Sequence, residues 1–205
     1  MPAFLDPNKP LATCASASCE GCEVSQKLHC HFRARDLAHF LLNALPPALL
    51  AGAGIVRVDW RWLVPWLIAA LGYFGFVEIR VMCSHCPHYA ELGTSSLKCW
   101  ANYGSPKLWK YRPGPMSRAE TFWFFGGFIV ILIYPLVFLL IGAQWFLLAM
   151  YVLTTAGAAL TLLKSFCSQC INFACPLNRV DDATRQAFFE CNPTVAQAWD
   201  TSNKL

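Results

Sequence analysis

The residues of this chain best equipped for chemistry are its eleven cysteines. Cys14, Cys19, Cys22 and Cys30 lie near the N-terminus, Cys83, Cys86 and Cys99 in the middle, and Cys167, Cys170, Cys175 and Cys191 towards the C-terminus. Thiolates are soft ligands for zinc, copper and iron–sulfur clusters. Reduced C-x-x-C pairs serve as metal ligands or redox groups. His29, His31, His85 and His88 sit beside these cysteines and are candidate substitute ligands.

Six of the cysteines form an internal repeat. One copy reads Cys83-Ser-His-Cys86-Pro-His-Tyr-Ala90 and then Cys99-Trp-Ala-Asn102. The other reads Cys167-Ser-Gln-Cys170-Ile-Asn-Phe-Ala174 and then Cys175-Pro-Leu-Asn178. Both follow C-S-x-C-x-x-aromatic-A and then C-x-x-N, and the first copy carries the extra segment Glu91–Lys98. Three thiolates per copy are one short of the four that a tetrahedral zinc ion or a [4Fe–4S] cluster takes. The N-terminal set and Cys191 are the pool for the missing ligands, enough for two four-thiolate sites. Spacing alone does not pair them.

The elements that position these cysteines are four apolar stretches, Leu37–Val58, Trp62–Met82, Thr121–Gly142 and Gln144–Leu163. Each holds about 20 residues, and at about 1.5 Å per residue that crosses a hydrocarbon core of about 30 Å. The expected fold is an all-α polytopic membrane protein. Its four transmembrane helices form two hairpins, and a cysteine-rich, loop-dominated, metal-binding cap covers one face. The segments are 1–36 (cysteine-rich lead), 37–82 (first hairpin), 83–120 (first repeat cap), 121–163 (second hairpin) and 164–205 (second repeat cap).

Local signals refine this plan. Trp60, Trp62 and Trp66, and the run Phe122-Trp123-Phe124-Phe125, read as interfacial aromatic belts. Gly126-Gly127 and Gly142 allow close helix approach, and Pro135 bends its helix. Ser117-x-x-Glu120 is a capping box that starts the third span. Asp181–Glu190 reads as a short exposed helix, and Met1–Lys27 as loop. Pro46-Pro47 removes two backbone donors and predicts a kink or break in the first span. A re-entrant hairpin there would put the N-terminal cysteines on the opposite face from the rest.

Lys and Arg orient the chain. The cysteine-bearing side carries Lys9, Lys27, Arg33, Arg35, Arg80, Lys98, Lys107, Lys110, Arg112, Arg118, Lys164, Arg179, Arg185 and Lys204, against Arg57 and Arg61 on the other. The positive-inside rule makes the expected location the inner membrane, multi-pass, with both termini and all cysteines cytoplasmic. Cytoplasmic thiols stay reduced, which disfavours a disulfide framework. Met1–Pro10 lacks the apolar core of a secretory signal. With 56% apolar and 14% charged residues the composition suits a membrane protein. The net charge of +4, without a Lys/Arg run, gives no nucleic-acid surface.

Iron–sulfur is the preferred occupant, as two [4Fe–4S] clusters. Cys86-Pro87 and Cys175-Pro176 match the Cys-Pro that ends bacterial ferredoxin runs. The sites lie at the membrane surface, within reach of a quinone. Tyr89, Trp100, Phe166 and Phe173 supply an apolar surround. The alternative is structural zinc in a non-redox scaffold. Soft-metal transport lacks a ligand ladder in the spans, and thiol–disulfide catalysis lacks a thioredoxin-like pattern. His39 and Glu78, at membrane depth, are a candidate quinone and proton site; the plainer reading is that Glu78 pairs with Arg80 or is hydrated. No nucleophile–base pair, phosphate loop or carboxylate pair is visible, so the chain reads as a redox subunit of an oxidoreductase complex rather than a stand-alone enzyme. The expected partners are the bilayer, quinone and a larger cytoplasmic redox protein.

The layout resembles the polytopic membrane ferredoxin-type subunits of respiratory chains, such as the quinol-oxidising subunit that accompanies periplasmic nitrate reductase. Those also place Cys-Pro motifs at cytoplasmic span ends. The resemblance covers architecture and short motifs; the duplicated eight-cysteine ferredoxin domain is missing, and no residue roles carry over.

Overall fold

The computed structural model describes residues 6–202. Lys204, counted above on the basic side, and the first half of Met1–Pro10 lie outside the described residues. Helix is the only regular structure among the described residues, apart from one isolated bridge between Ser96 and Pro106. Four helices are long and apolar enough to cross a membrane: α2 (Ala34–Val58), α3 (Trp60–His85), α4 (Arg118–Ile141) and α5 (Trp145–Gln169). A short α1 (Glu23–Lys27) precedes them, within the segment read as loop. Two amphipathic helices follow, α6 (Asp182–Cys191) and α7 (Pro193–Ser202), the second of which was not expected.

Composition explains the long helices, and their outward faces confirm that oil suits them better than water. Leu42, Leu71, Phe122, Ile141, Phe146 and Leu153 are all exposed. Contiguous apolar surface of this extent is consistent with a multi-pass membrane protein. α4 starts where its capping box predicts. Glu120 N–H donates to Ser117 Oγ, and Ser117 N–H donates to Glu120 Oε2 at 2.9 Å.

The expectation of a break at Pro46-Pro47 is corrected. α2 runs unbroken through both prolines. Their missing donors free the carbonyls of Leu42 and Asn43. In a bundle neighbouring helices hold such a turn in place. Here the Asn43 side chain donates to Ala158 O of α5 at 3.1 Å.

Polar tips inside the bundle serve backbone carbonyls in the same way. Pro135 cannot donate to Ile131 O, and Trp66 Nε1 donates to that carbonyl at 3.1 Å. Tyr151 OH donates to Leu132 O at 2.9 Å, and Gln144 Nε2 to Gly54 O at 2.9 Å. Small residues set the helix spacing. The Tyr73 ring lies directly on Gly127, and Leu139 packs where a Gly54 side chain would be. Gly142 abuts Val58, while Gly126 faces open space.

The four helices share one end at which the cysteine segments gather. His29, just before α2, hydrogen-bonds through Nε2 to Gln169 at the end of α5 (2.8 Å). Glu120 at the start of α4 pairs with Arg112 at 2.6 Å and with Arg80, near the end of α3, at 3.4 Å.

Candidate functional site

The two repeat copies fold alike. Each helix carries a π-helical turn in its last part: Leu162–Phe166 directly before the cysteines in α5, and Tyr73–Val77 in α3, where a further α-helical turn, Glu78–Val81, intervenes. Each then tightens into a 3-10 turn, Cys83–His85 or Cys167–Gln169. The serine of C-S-x-C bonds back one turn in both: Ser84 Oγ to Arg80 O at 2.6 Å, Ser168 Oγ to Lys164 O at 2.7 Å. Such back-bonding is a common serine role at a helix end. The next cysteine leaves the turn in extended backbone, at φ −74° and ψ 137° for Cys86 and φ −82° and ψ 127° for Cys170. The aromatic that follows, Tyr89 or Phe173, is buried. The extra segment of the first copy is tied down by Leu97 N–H to Ser105 O (2.8 Å) and Lys107 N–H to Ser95 O (2.9 Å).

The copies do not stand apart. Cys83, Cys86, Cys99, Cys167, Cys170 and Cys175 all line one cavity of about 360 Å³. Phe40, Phe74, Phe124 and Phe128 from α2, α3 and α4 form its wall on the bundle side, and Trp100 closes it further. Trp100 stacks on Phe166 with centroids 4.8 Å apart. Glu78 is the only acidic lining residue, and neither Lys nor Arg lines the cavity.

Burial sets the electrostatics. It pushes the Cys86, Cys99 and Cys170 thiols up, and Cys175 to about 12. After burial, the largest effect on Cys170 is the charge of Cys86, which belongs to the other copy. These thiols are therefore neutral at physiological pH, and binding a metal through them would release protons. Asn102 counters burial at two sulfurs. Its Nδ2 donates to Cys83 Sγ at 3.2 Å and its backbone N–H to Cys99 Sγ at 3.2 Å. Asn178, its repeat counterpart, instead donates to the carbonyls of Cys170 (2.7 Å) and Asn172 (3.1 Å).

The remaining cysteines, Cys14, Cys19, Cys22, Cys30 and Cys191, form a second group where the N-terminal segment meets α6. Among the described residues no disulfide joins any of the eleven. In neither group do three side chains converge tightly enough to form a ready-made metal site.

The histidines are differently occupied. His29 uses Nε2 on Gln169, and its Nδ1 lies 3.2 Å from Asp36. His85 Nδ1 contacts Gly114 O at 3.0 Å. His31 Nε2 contacts Lys9 O at 3.0 Å. His88 lines the cavity; its Nε2 donates to Cys30 O at 2.9 Å, and burial lowers its pKa to about 4, so its Nδ1 carries a free lone pair. His39 and Glu78 are not brought together. His39 is exposed on α2, whereas Glu78 is buried in the cavity wall and hydrogen-bonded to Asn102. Arg80 engages Glu120 instead of Glu78.

One lining residue escaped the sequence reading. Asn172 is buried, donates to Met82 O at 3.2 Å, and leaves its Oδ1 without a partner. It occupies the position in the second copy that His88 holds in the first, so alignment of the two copies was the signal that would have found it.

The chain matches no known family model, no curated protein and no solved structure closely enough to be aligned.

Proposed function

We propose that the chain is an integral membrane iron–sulfur protein, the electron-transfer subunit of an oxidoreductase complex, working between a soluble redox partner and the membrane. The observation that carries the reading is the convergence of all six repeat cysteines on one low-polarity cavity at the end of the helix bundle. Two [4Fe–4S] clusters need eight thiolates. The cavity offers six, so we place one such cluster there, with ligands drawn from both copies. When bound, the cluster supplies one-electron transfer. The chain's residues do the rest. The six thiols bind, the Asn102 N–H groups steady the sulfurs of Cys83 and Cys99, and the Phe and Trp wall keeps water out. A low-polarity, hydrogen-bonded surround of this kind tunes reduction potential.

Glu78 faces the cavity from membrane depth and is the group through which a quinone's protons would be exchanged. The Lys/Arg asymmetry supports a cytoplasmic cysteine face, both termini cytoplasmic, and an inner-membrane location. Under this reading the two helix pairs are hairpins, each leading into one cysteine copy, and a larger cytoplasmic protein docks over the copies.

The test is anaerobic purification followed by iron, sulfide and zinc analysis with visible spectroscopy. The proposal expects a brown protein with about four irons and four sulfides per chain. A colourless protein that holds zinc and no iron overturns it in favour of a structural scaffold.

A further inference from the structure

The second cysteine group lies outside the cavity and has a setting of its own. The fold brings the N-terminal segment against the distant α6 by backbone and side-chain bonds. Ala15 N–H donates to Cys191 O at 2.8 Å, and Thr13 Oγ1 donates to Asn192 Oδ1 at 2.7 Å, both ends of the latter buried. Leu11, Val24 and Leu28 bury into one apolar cluster with Phe173 and Phe188, and Cys14 and Cys22 pack against it. Cys19 and Cys22 form a C-x-x-C turn closed by Cys22 N–H to Cys19 O at 3.2 Å. Cys22 then precedes α1 without capping it through its side chain, so its sulfur is uncommitted.

Cys14 and Cys22 pack on the same cluster as Phe188 of α6, and Ala15, next to Cys14, is bonded to Cys191. The fold therefore brings the N-terminal segment, which carries three of these cysteines and has almost no helix to hold it, against the end of α6 that carries Cys191. A short segment with a small core needs a staple. Cys30 differs from the four in being buried in the apolar cluster, whereas they are partly exposed.

We infer that Cys14, Cys19, Cys22 and Cys191 form a second, structural site for one zinc ion, which fastens the N-terminal segment to α6. The setting distinguishes it from the cavity. A closed four-thiolate zinc site needs no more room than the thiols themselves, and partly exposed cysteines on a loop and at a helix end suit it. The cavity group surrounds about 360 Å³ of space and is walled by aromatic rings, as a polynuclear centre requires. The inference rests on residues other than those of the proposed redox site and stands whatever metal fills the cavity.

The experiment uses the full chain in detergent, purified anaerobically, as wild type and as Cys19→Ser and Cys191→Ser. Zinc and iron are counted, and the N-terminal segment is probed by limited proteolysis. The inference expects about one zinc per wild-type chain. It expects that zinc to be lost in both variants, iron to be unchanged, and cleavage before Cys30 to appear. Because a variant can also unfold locally, wild-type protein is exchanged with cobalt(II), and the ligand-field bands of a tetrahedral four-thiolate site are expected. Zinc retained in both variants, iron lost with them, or absence of the cobalt bands overturns the inference. Iron missing from wild type while zinc follows Cys19 and Cys191 would sink the cluster reading and leave this one standing.

Discussion

Asn102 Nδ2 donates to Cys83 Sγ across 3.2 Å, joining the third-cysteine turn of one repeat copy to the first cysteine of that copy. The same residue reaches Cys99 Sγ through its backbone and Glu78 through its side chain. Asn178, at the matching place in the other copy, donates its side-chain N–H groups to carbonyls and accepts from Val180 N–H. The two asparagines therefore differ in what they do. Asn102→Ala removes a hydrogen bond to a sulfur of the proposed cluster site, and losses of this kind weaken metal retention by about 10–100-fold. It should also shift the reduction potential of the bound centre. Asn178→Ala should lower thermal stability and leave the potential in place. Metal retention against a chelator, with redox titration of both variants, checks the contrast; equal shifts would refute it.

Trp66 answers a deficit created by Pro135. The indole N–H serves Ile131 O, the carbonyl that proline cannot reach. Trp66→Phe leaves that carbonyl unpaired and should cost about 1–3 kcal/mol. In a Pro135→Ala background the helix supplies its own donor, so the cost should shrink. The double-mutant cycle should show a coupling of about 0.5–3 kcal/mol, read from unfolding in detergent. Additive costs would contradict the account.

Gly127 and Gly126 are adjacent but not equivalent. A side chain at Gly127 collides with the Tyr73 ring, whose hydroxyl donates to Phe124 O at 2.5 Å. Gly127→Val should cost about 1–3 kcal/mol by overpacking. Gly126→Ala meets open space and should stay within about 0.5 kcal/mol of wild type. Thermal unfolding of both variants measures the difference.

Asp181 caps α6 by accepting from Thr184 N–H at 2.9 Å. That bond holds its carboxyl below the ordinary aspartate range. A depressed acid contributes stability that is complete above its unfolded pKa and is lost as pH falls through the folded value. The protection factor of the Thr184 amide against exchange should therefore fall as pH drops below about 4. Asp181→Asn keeps a capping oxygen without the charge and should flatten this dependence.

Much of the frame was legible in the sequence because it rests on local rules. Length and apolarity gave the four spans, Ser117 and Glu120 gave the start of α4, and the matched cysteine copies gave two junctions that fold alike. Pro46-Pro47 does not break α2, because a neighbouring helix supports the turn that lacks its donors, with Asn43 bonded to Ala158. The grouping of the cysteines was hidden for a different reason. Spacing describes each copy separately, whereas the cavity arises where both copies meet the end of the helix bundle, and the second group where the N-terminal segment packs against α6. Bonds such as Ala15 to Cys191 join positions that no local pattern relates. Asn172 was missed because its type differs from His88, although its place in the repeat is the same.

The central claim is that the six cavity cysteines hold a redox-active iron–sulfur cluster. Low-temperature electron paramagnetic resonance on anaerobically reduced wild type, Cys170→Ser and Cys14→Ser tests it most directly. The account predicts a cluster signal in wild type, its loss or marked change in Cys170→Ser, and its persistence in Cys14→Ser. A wild-type protein with no iron and no signal, or a signal that survives Cys170→Ser unaltered and vanishes in Cys14→Ser, would contradict it.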